Sequence, residues 1–148
     1  MIDSDKRSEA AIRLQHLATR LLRLARSQHG KVGVGSAQYS AMAVLYDRGP
    51  LPLVELARAE HVTHPTMSRV VAGLIKMGAA KRLSDATDRR LHRVALTANG
   101  RALYQRASAK RIAVIAAILG QLKPETVTEV LDAVTRTIGP LEKALRPN

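Results

Sequence analysis

Leu53-Val54-Glu55-Leu56-Ala57-Arg58-Ala59-Glu60-His61-Val62-Thr63-His64-Pro65-Thr66-Met67-Ser68-Arg69-Val70-Val71-Ala72-Gly73-Leu74-Ile75-Lys76-Met77-Gly78 decides the fold. It reads as two short helices, near Val54–Glu60 and His64–Met77, joined by a turn around His61–Thr63. Thr63 is a residue that caps a helix start. Pro65 is tolerated in a first turn, because the amide it lacks has no intrahelical partner there. Met67, Val70, Leu74 and Met77 recur at spacings of 3, 4 and 3, which predicts one buried face. Gly78 suits a left-handed cap at the far end.

Downstream the period changes. Ala80-Lys81-Arg82-Leu83-Ser84 and His92-Arg93-Val94-Ala95-Leu96 are strand-like, and the charged turn formers Asp85–Leu91 between them make a β-hairpin. Thr97 then caps a long helix running to about Gly120, and Pro124 sits in the first turn of a last one. There Val127, Leu131, Val134, Ile138, Leu141 and Leu145 are spaced 4, 3, 4, 3 and 4, a sustained heptad seam. Gly139-Pro140 interrupts it, and a kink is expected because Pro140 cannot donate to the carbonyl of Arg136.

Upstream, Gly49-Pro50-Leu51-Pro52 reads as a rigid turn. Ser36 is a candidate cap for a helix through Asp47 with Ala41, Val44 and Leu45 in the core. Gly30, Gly33 and Gly35 separate that helix from a first one covering the opening 29 residues. In the first helix Leu14, Leu17, Leu21 and Leu24 form one apolar stripe, with Arg13, Arg20, Arg23 and Arg26 off it.

The chain has 148 residues, 46% of them hydrophobic, which suits one packed domain and argues against global disorder. Aromatics are 2%, with no Phe and no Trp, so the core is built from aliphatic residues and Met. Single-strand binding on stacked aromatic platforms is disfavoured by the same count. Cysteine is absent, which removes disulfides, thiolate metal sites and cysteine nucleophiles or redox sensors. The polar segment Met1–Glu9 does not read as a signal peptide, and the longest uncharged stretch, Val32–Tyr46, is 15 residues, too short to span a membrane. The expectation is a soluble cytoplasmic protein. A net charge of +12 and a pI near 11.1 point to a polyanion, nucleic acid first.

Two short helices followed by a basic hairpin make a winged helix-turn-helix. With Met67, Val70 and Leu74 buried, the second short helix presents Pro65, Thr66, Ser68, Arg69, Ala72, Gly73 and Lys76. Arg69 can pair with guanine N7 and O6 bidentately, and Thr66 and Ser68 can meet bases or phosphates. Small Ala72 and Gly73 let backbone approach DNA closely. The hairpin adds Arg89, Arg90 and Arg93. Between Arg69 and Arg93 the cations Arg69, Lys76, Lys81, Arg82, Arg89, Arg90 and Arg93 face only Asp85 and Asp88. Two other readings stand beside specific DNA recognition: a sequence-nonspecific architectural DNA-binding protein of the same fold, and a small-molecule hydrolase or binding protein with an incidental basic surface. No paired carboxylates, Gly-rich phosphate loop or nucleophile motif supports an enzyme. Of the histidines His16, His29, His61, His64 and His92, only His61 and His64 are close, across a helix start. They do not read as a metal site, and no cofactor is implied.

Leu53–Ala57, Val62–Val71, Leu74, Gly78, Asp88-Arg89-Arg90 and Leu96-Thr97-Ala98-Asn99-Gly100 together resemble the multiple-antibiotic-resistance regulator (MarR) family. The most specific parts are Asp-x-Arg in the hairpin and the following Leu-Thr-x-x-Gly. The motifs cover about residues 53–103, and the flanking helices match in length and order. The resemblance implies a mostly α (α+β) fold. A winged helix-turn-helix core at 36–97 would be flanked by long dimerisation helices at 1–30 and 98–148. It implies a homodimeric transcription regulator, a repressor of a pseudo-palindromic double-stranded operator, released by a small aromatic or lipophilic effector. Arg90 matches the arginine that enters the minor groove and Asp88 the acid that orients it, a pairing that also serves to pin the hairpin. Dimer contacts are expected from Leu14, Leu17 and Leu21 with Val127, Leu131, Val134, Ile138, Leu141 and Leu145. Polar candidates for a ligand pocket are His16, Arg20, Tyr39 and Tyr46. Glu60 departs from the family, which usually has an apolar residue there. His64 stands where proline is common, with Pro65 one place later.

Overall fold

The computed structural model describes residues 4–27, 33–84 and 92–145, with backbone alone for 25–27. The chain divides into two units, Met1–Ser36 and Ala37–Asn148. The first contains helix α1, Ser4–Ser27. Its Glu9 and Arg13 pair at 2.6 Å with the acid one turn before the base, the favourable order on a helix, although both are exposed. Of the predicted stripe, Leu14, Leu17 and Leu21 are exposed and Leu24 is half-buried.

Ser36 starts helix α2, Ser36–Arg48, which the remaining elements follow: β1 Leu51–Pro52, α3 Leu53–Ala59, α4 His64–Lys76, β2 Ala80–Ser84, β3 His92–Leu96, α5 Ala98–Leu119 and α6 Pro124–Leu145. The strands form an antiparallel sheet in the order β1-β3-β2. The hairpin register pairs Ala80 with Leu96 and Ser84 with His92. Its tip, with Asp88, Arg89 and Arg90, lies outside the described residues. Leu51-Pro52, expected to be only a turn, also forms β1, with Leu51 opposite Val94 and Pro52 opposite Arg93. Pro52 is allowed because β1 is an edge strand, where a missing N–H breaks no ladder.

The core collects Ala41, Met42 and Leu45 from α2, Leu56 and Ala57 from α3, Met67, Val71 and Leu74 from α4, and Val94, Ala95 and Leu96 from β3. It is aliphatic with Met and Ala, as the composition requires. Two positions differ from the expected stripes. Val71 is fully buried while Val70 and Met77 are half-buried, and Met42 is fully buried while Val44 is half-buried. A 4-then-3 spacing and a 3-then-4 spacing both make a helical stripe. The neighbours select which one turns inward, here Met67–Val71–Leu74. Glu60, the departure from the family, avoids the core by standing as the C-cap of α3, half-buried, with its N–H bonded to Leu56 O.

Helix α6 runs unbroken through Gly139-Pro140 and has no buried residue. Leu131, Val134, Ile138, Leu141 and Leu145 are 43–70% exposed, and on α5 Ile112, Ile115 and Ile118 are exposed as well. No helix among the described residues is long and apolar enough to cross a membrane.

Candidate nucleic-acid interface

The start of α4 is built by its cap. Thr63 is extended at φ −71° and ψ 153°, and its hydroxyl accepts from the Thr66 amide. The Thr63 and Thr66 hydroxyls also lie 2.9 Å apart, so Thr66 supports the cap as well as offering a polar surface. His61 makes the turn before it with φ +52°, a left-handed conformation uncommon outside glycine. The first turn of α4 carries no acid, so nothing on the helix neutralises the positive end of its dipole.

The exposed face of α4 carries Pro65, Thr66, Arg69, Ala72 and Lys76, and Ser68 is half-buried beside them. Gly73 departs from expectation. A Cβ there would come 2.7 Å from Nε2 of Gln38, so this glycine makes room for an α2 side chain rather than for a ligand. Lys81 and Arg82 are exposed on β2, and His92 and Arg93 on β3. Across the ladder Arg93 lies opposite Leu83 on one side and Pro52 on the other. Arg69, Lys76, Lys81, Arg82 and Arg93 therefore sit on consecutive elements, with no acid among the described residues of 64–96. The predicted wing residues Asp88, Arg89 and Arg90 fall outside those residues.

The sequence motif Leu96–Gly100 acquires a structural meaning. The Thr97 hydroxyl caps α5 by accepting from the Gly100 amide at 3.0 Å, and it donates to Gly78 O at 2.6 Å. The Thr97 amide donates to Ala79 O at 3.0 Å. These bonds fasten the start of α5 to the turn that ends α4. Gly78 makes that turn at φ +67°.

Of the ligand candidates, His16 and Arg20 are exposed on α1. Tyr39 and Tyr46 join a residue the sequence reading missed, Tyr104 of α5. The Tyr104 ring centroid is 5.3 Å from that of Tyr39 and 4.7 Å from that of Tyr46. Arg111 of α5 stands over the Tyr39 ring, 3.4 Å from its centroid, and Gln105 Nε2 donates to Tyr46 Oη at 3.0 Å. All three aromatic residues of the chain thus meet in one half-buried cluster. Residues this far apart in sequence share no periodic signal. Burial pushes the Tyr104 hydroxyl up from 10.0 to about 12, with neighbouring Tyr39, Asp47 and Tyr46 adding to the effect. The folded state therefore favours neutral Tyr104. Its contribution to stability is complete below pH 10 and is lost as pH rises through about 12. An ultraviolet titration should show one late-ionising tyrosine, absent in Tyr104→Phe. Ordinary ionisation of all three tyrosines would contradict the burial. Among the described residues no group of His and carboxylates is placed to hold a metal.

A family model described as MarR family matches residues 35–92. An HTH-type transcriptional regulator of Mycobacterium tuberculosis is 32% identical over 111 residues, covering 75% of this chain and 76% of that protein. A MarR family protein from Bacillus stearothermophilus has a similar structure, with a TM-score of 0.81 at 19% identity over 97% of this chain and 99% of that one. A Staphylococcus aureus MepR variant bound to an oligodeoxyribonucleotide is similar with a TM-score of 0.65 at 19% identity, over 89% of this chain and 97% of that one.

Proposed function

Because this chain belongs to the MarR family of DNA-binding transcription regulators, we propose that it is a homodimeric repressor of a pseudo-palindromic operator. In this reading α4 enters the major groove and the 80–96 hairpin reaches the minor groove through Arg90, oriented by Asp88. The observation that carries the proposal is the exposed face of α4. It has a capped start and no acid in its first turn, and basic residues continue from it onto β2 and β3. The oligonucleotide-bound MepR variant, similar in fold, supports DNA as the partner.

Arg69 and Lys76 separate base reading from charge. Arg69 offers a planar fork for guanine, worth about 1–3 kcal/mol of discrimination, whereas Lys76 offers a point charge to phosphate. The test starts from duplexes enriched from a random pool by the full-length protein. Arg69→Ala should lose affinity for the enriched duplex and little for random DNA. Lys76→Ala should weaken both about equally and flatten the salt dependence by about one ion. Equal losses for Arg69→Ala on both DNAs would instead support an architectural, sequence-nonspecific binder.

The effector is proposed to be a small aromatic acid received at Tyr39, Tyr46 and Tyr104, where ring faces and the positive charge of Arg111 are close together. To relieve DNA binding tenfold it must favour the free state by about 1.4 kcal/mol. A panel of substituted benzoic acids should weaken binding to the enriched duplex, and Arg111→Ala should abolish the response. Unchanged DNA binding across the panel would reject this part of the reading.

A further inference from the structure

The recognition helix has two ends. Thr63 fixes the first, and the second is held from another element. The last carbonyls of any helix lack intrahelical donors. Here the three consecutive carbonyls of the turn after α4 are each met by the start of α5. Met77 O receives Asn99 Nδ2 at 3.5 Å, Gly78 O receives the Thr97 hydroxyl at 2.6 Å, and Ala79 O receives the Thr97 amide at 3.0 Å. Gly100 comes so close that a Cβ on it would overlap the Ala79 carbonyl. The two helices also meet with opposite dipole ends, the carbonyl end of α4 against the amide end of α5.

We propose that Thr97, assisted by Asn99, is a positioning residue for sequence-specific DNA recognition: it locks the end of α4 to the start of α5 and so fixes the angle at which α4 is presented. This rests on the reading of α4 as the recognition helix. Covalently, α4 leaves through a short turn containing Gly78 in a permissive left-handed conformation, which alone does not define an angle. The side-chain hydroxyl of Thr97 supplies what the turn lacks, by bonding both sides of the joint at once. Two recognition helices must reach successive major grooves about 34 Å apart, so a joint that swings lowers the chance that both are in register. Attraction to phosphate tolerates such swinging, because charge acts without fixed orientation.

The two duties of the Thr97 hydroxyl can be separated. In Thr97→Asp the carboxylate still accepts from the Gly100 amide and caps α5, but it has no proton to donate to Gly78 O. Thr97→Ser keeps both. The full-length variants are compared with wild type for affinity to a duplex enriched from a random pool by the wild type, for affinity to a random duplex, and for thermal midpoint. Thr97→Asp should lower the ratio of enriched to random affinity about tenfold, a ratio that the added negative charge does not change by itself. Thr97→Ser should retain the wild-type ratio. A wild-type ratio in Thr97→Asp would overturn the inference, as would a fall in Thr97→Ser as large as in Thr97→Asp. Should Thr97→Asp not fold, Asn99→Leu at an exposed position decides: its ratio falls, or the inference fails. If the wild type enriches no sequence at all, the reading of α4 as a recognition helix fails and this inference falls with it.

Discussion

Replacing Val134 and Ile138 together by glutamate is expected to leave the protein monomeric at micromolar concentration and to cut operator affinity about 100-fold or more. Val134 and Ile138 are each 49% exposed, and they continue with Leu131, Leu141 and Leu145 as a single stripe on a helix that has no fully buried residue, with only Val127 half-buried. An apolar seam at heptad spacing is stable only against another such surface. In the proposed dimer a second copy of the chain would provide one with two-fold symmetry, matching the proposed pseudo-palindromic site. Two carboxylates in that seam would have to be desolvated without partners, a cost that exceeds what the remaining apolar contacts return. Loss of the dimer also removes the high effective concentration of the second recognition helix, which is worth factors of about 100 to 10,000 in linked binding. Analytical ultracentrifugation and titration of an enriched duplex check both halves. A dimer with wild-type affinity would show that α6 is not the interface.

Gly100→Ala is expected to destabilise the protein by about 3 kcal/mol or more, lowering the thermal midpoint by about 10 °C. The added Cβ would lie 1.8 Å from Ala79 O and 2.8 Å from Ala79 C. Both are backbone atoms, held by the Thr97 amide on one side and the sheet on the other. They cannot rotate away as a side chain would, so α5 must lift off the turn and lose its bonds to Gly78 and Ala79. Gly73→Ala is the contrast: its Cβ meets only the far end of the Gln38 side chain at 2.7 Å, and a destabilisation below about 1.5 kcal/mol is expected. Thermal unfolding of the two variants side by side measures the difference. Equal midpoints would mean that the α4–α5 joint is looser than its geometry indicates.

Much of the fold is legible residue by residue because it is locally encoded. Thr63 and Thr97 cap helices through amides three residues away, so their roles follow from spacing alone. The change from helical to strand-like pattern after Gly78 marks the hairpin, and its registered pairs bear that out. The exposed positions of Pro65, Thr66, Arg69 and Lys76 follow from the apolar spacing of α4, even though the stripe turns on Val71 rather than Val70. That phase belongs to the tertiary structure, since either valine completes a helical stripe and only the packed neighbours distinguish them. Strand β1 has two residues, one of them proline, too short to show any alternation; it is a strand only because β3 lies alongside. The tyrosine cluster joins positions 39, 46 and 104, and the Gly100 contact joins helix start to distant turn. By itself the sequence determined the helix caps, the hairpin, the basic face and the absence of thiol chemistry, because each depends on residue type or on neighbours within about one turn. Only the tertiary structure decided which valine is buried, which glycine is indispensable and which rings meet, because those depend on atoms brought together by chain segments with no shared period.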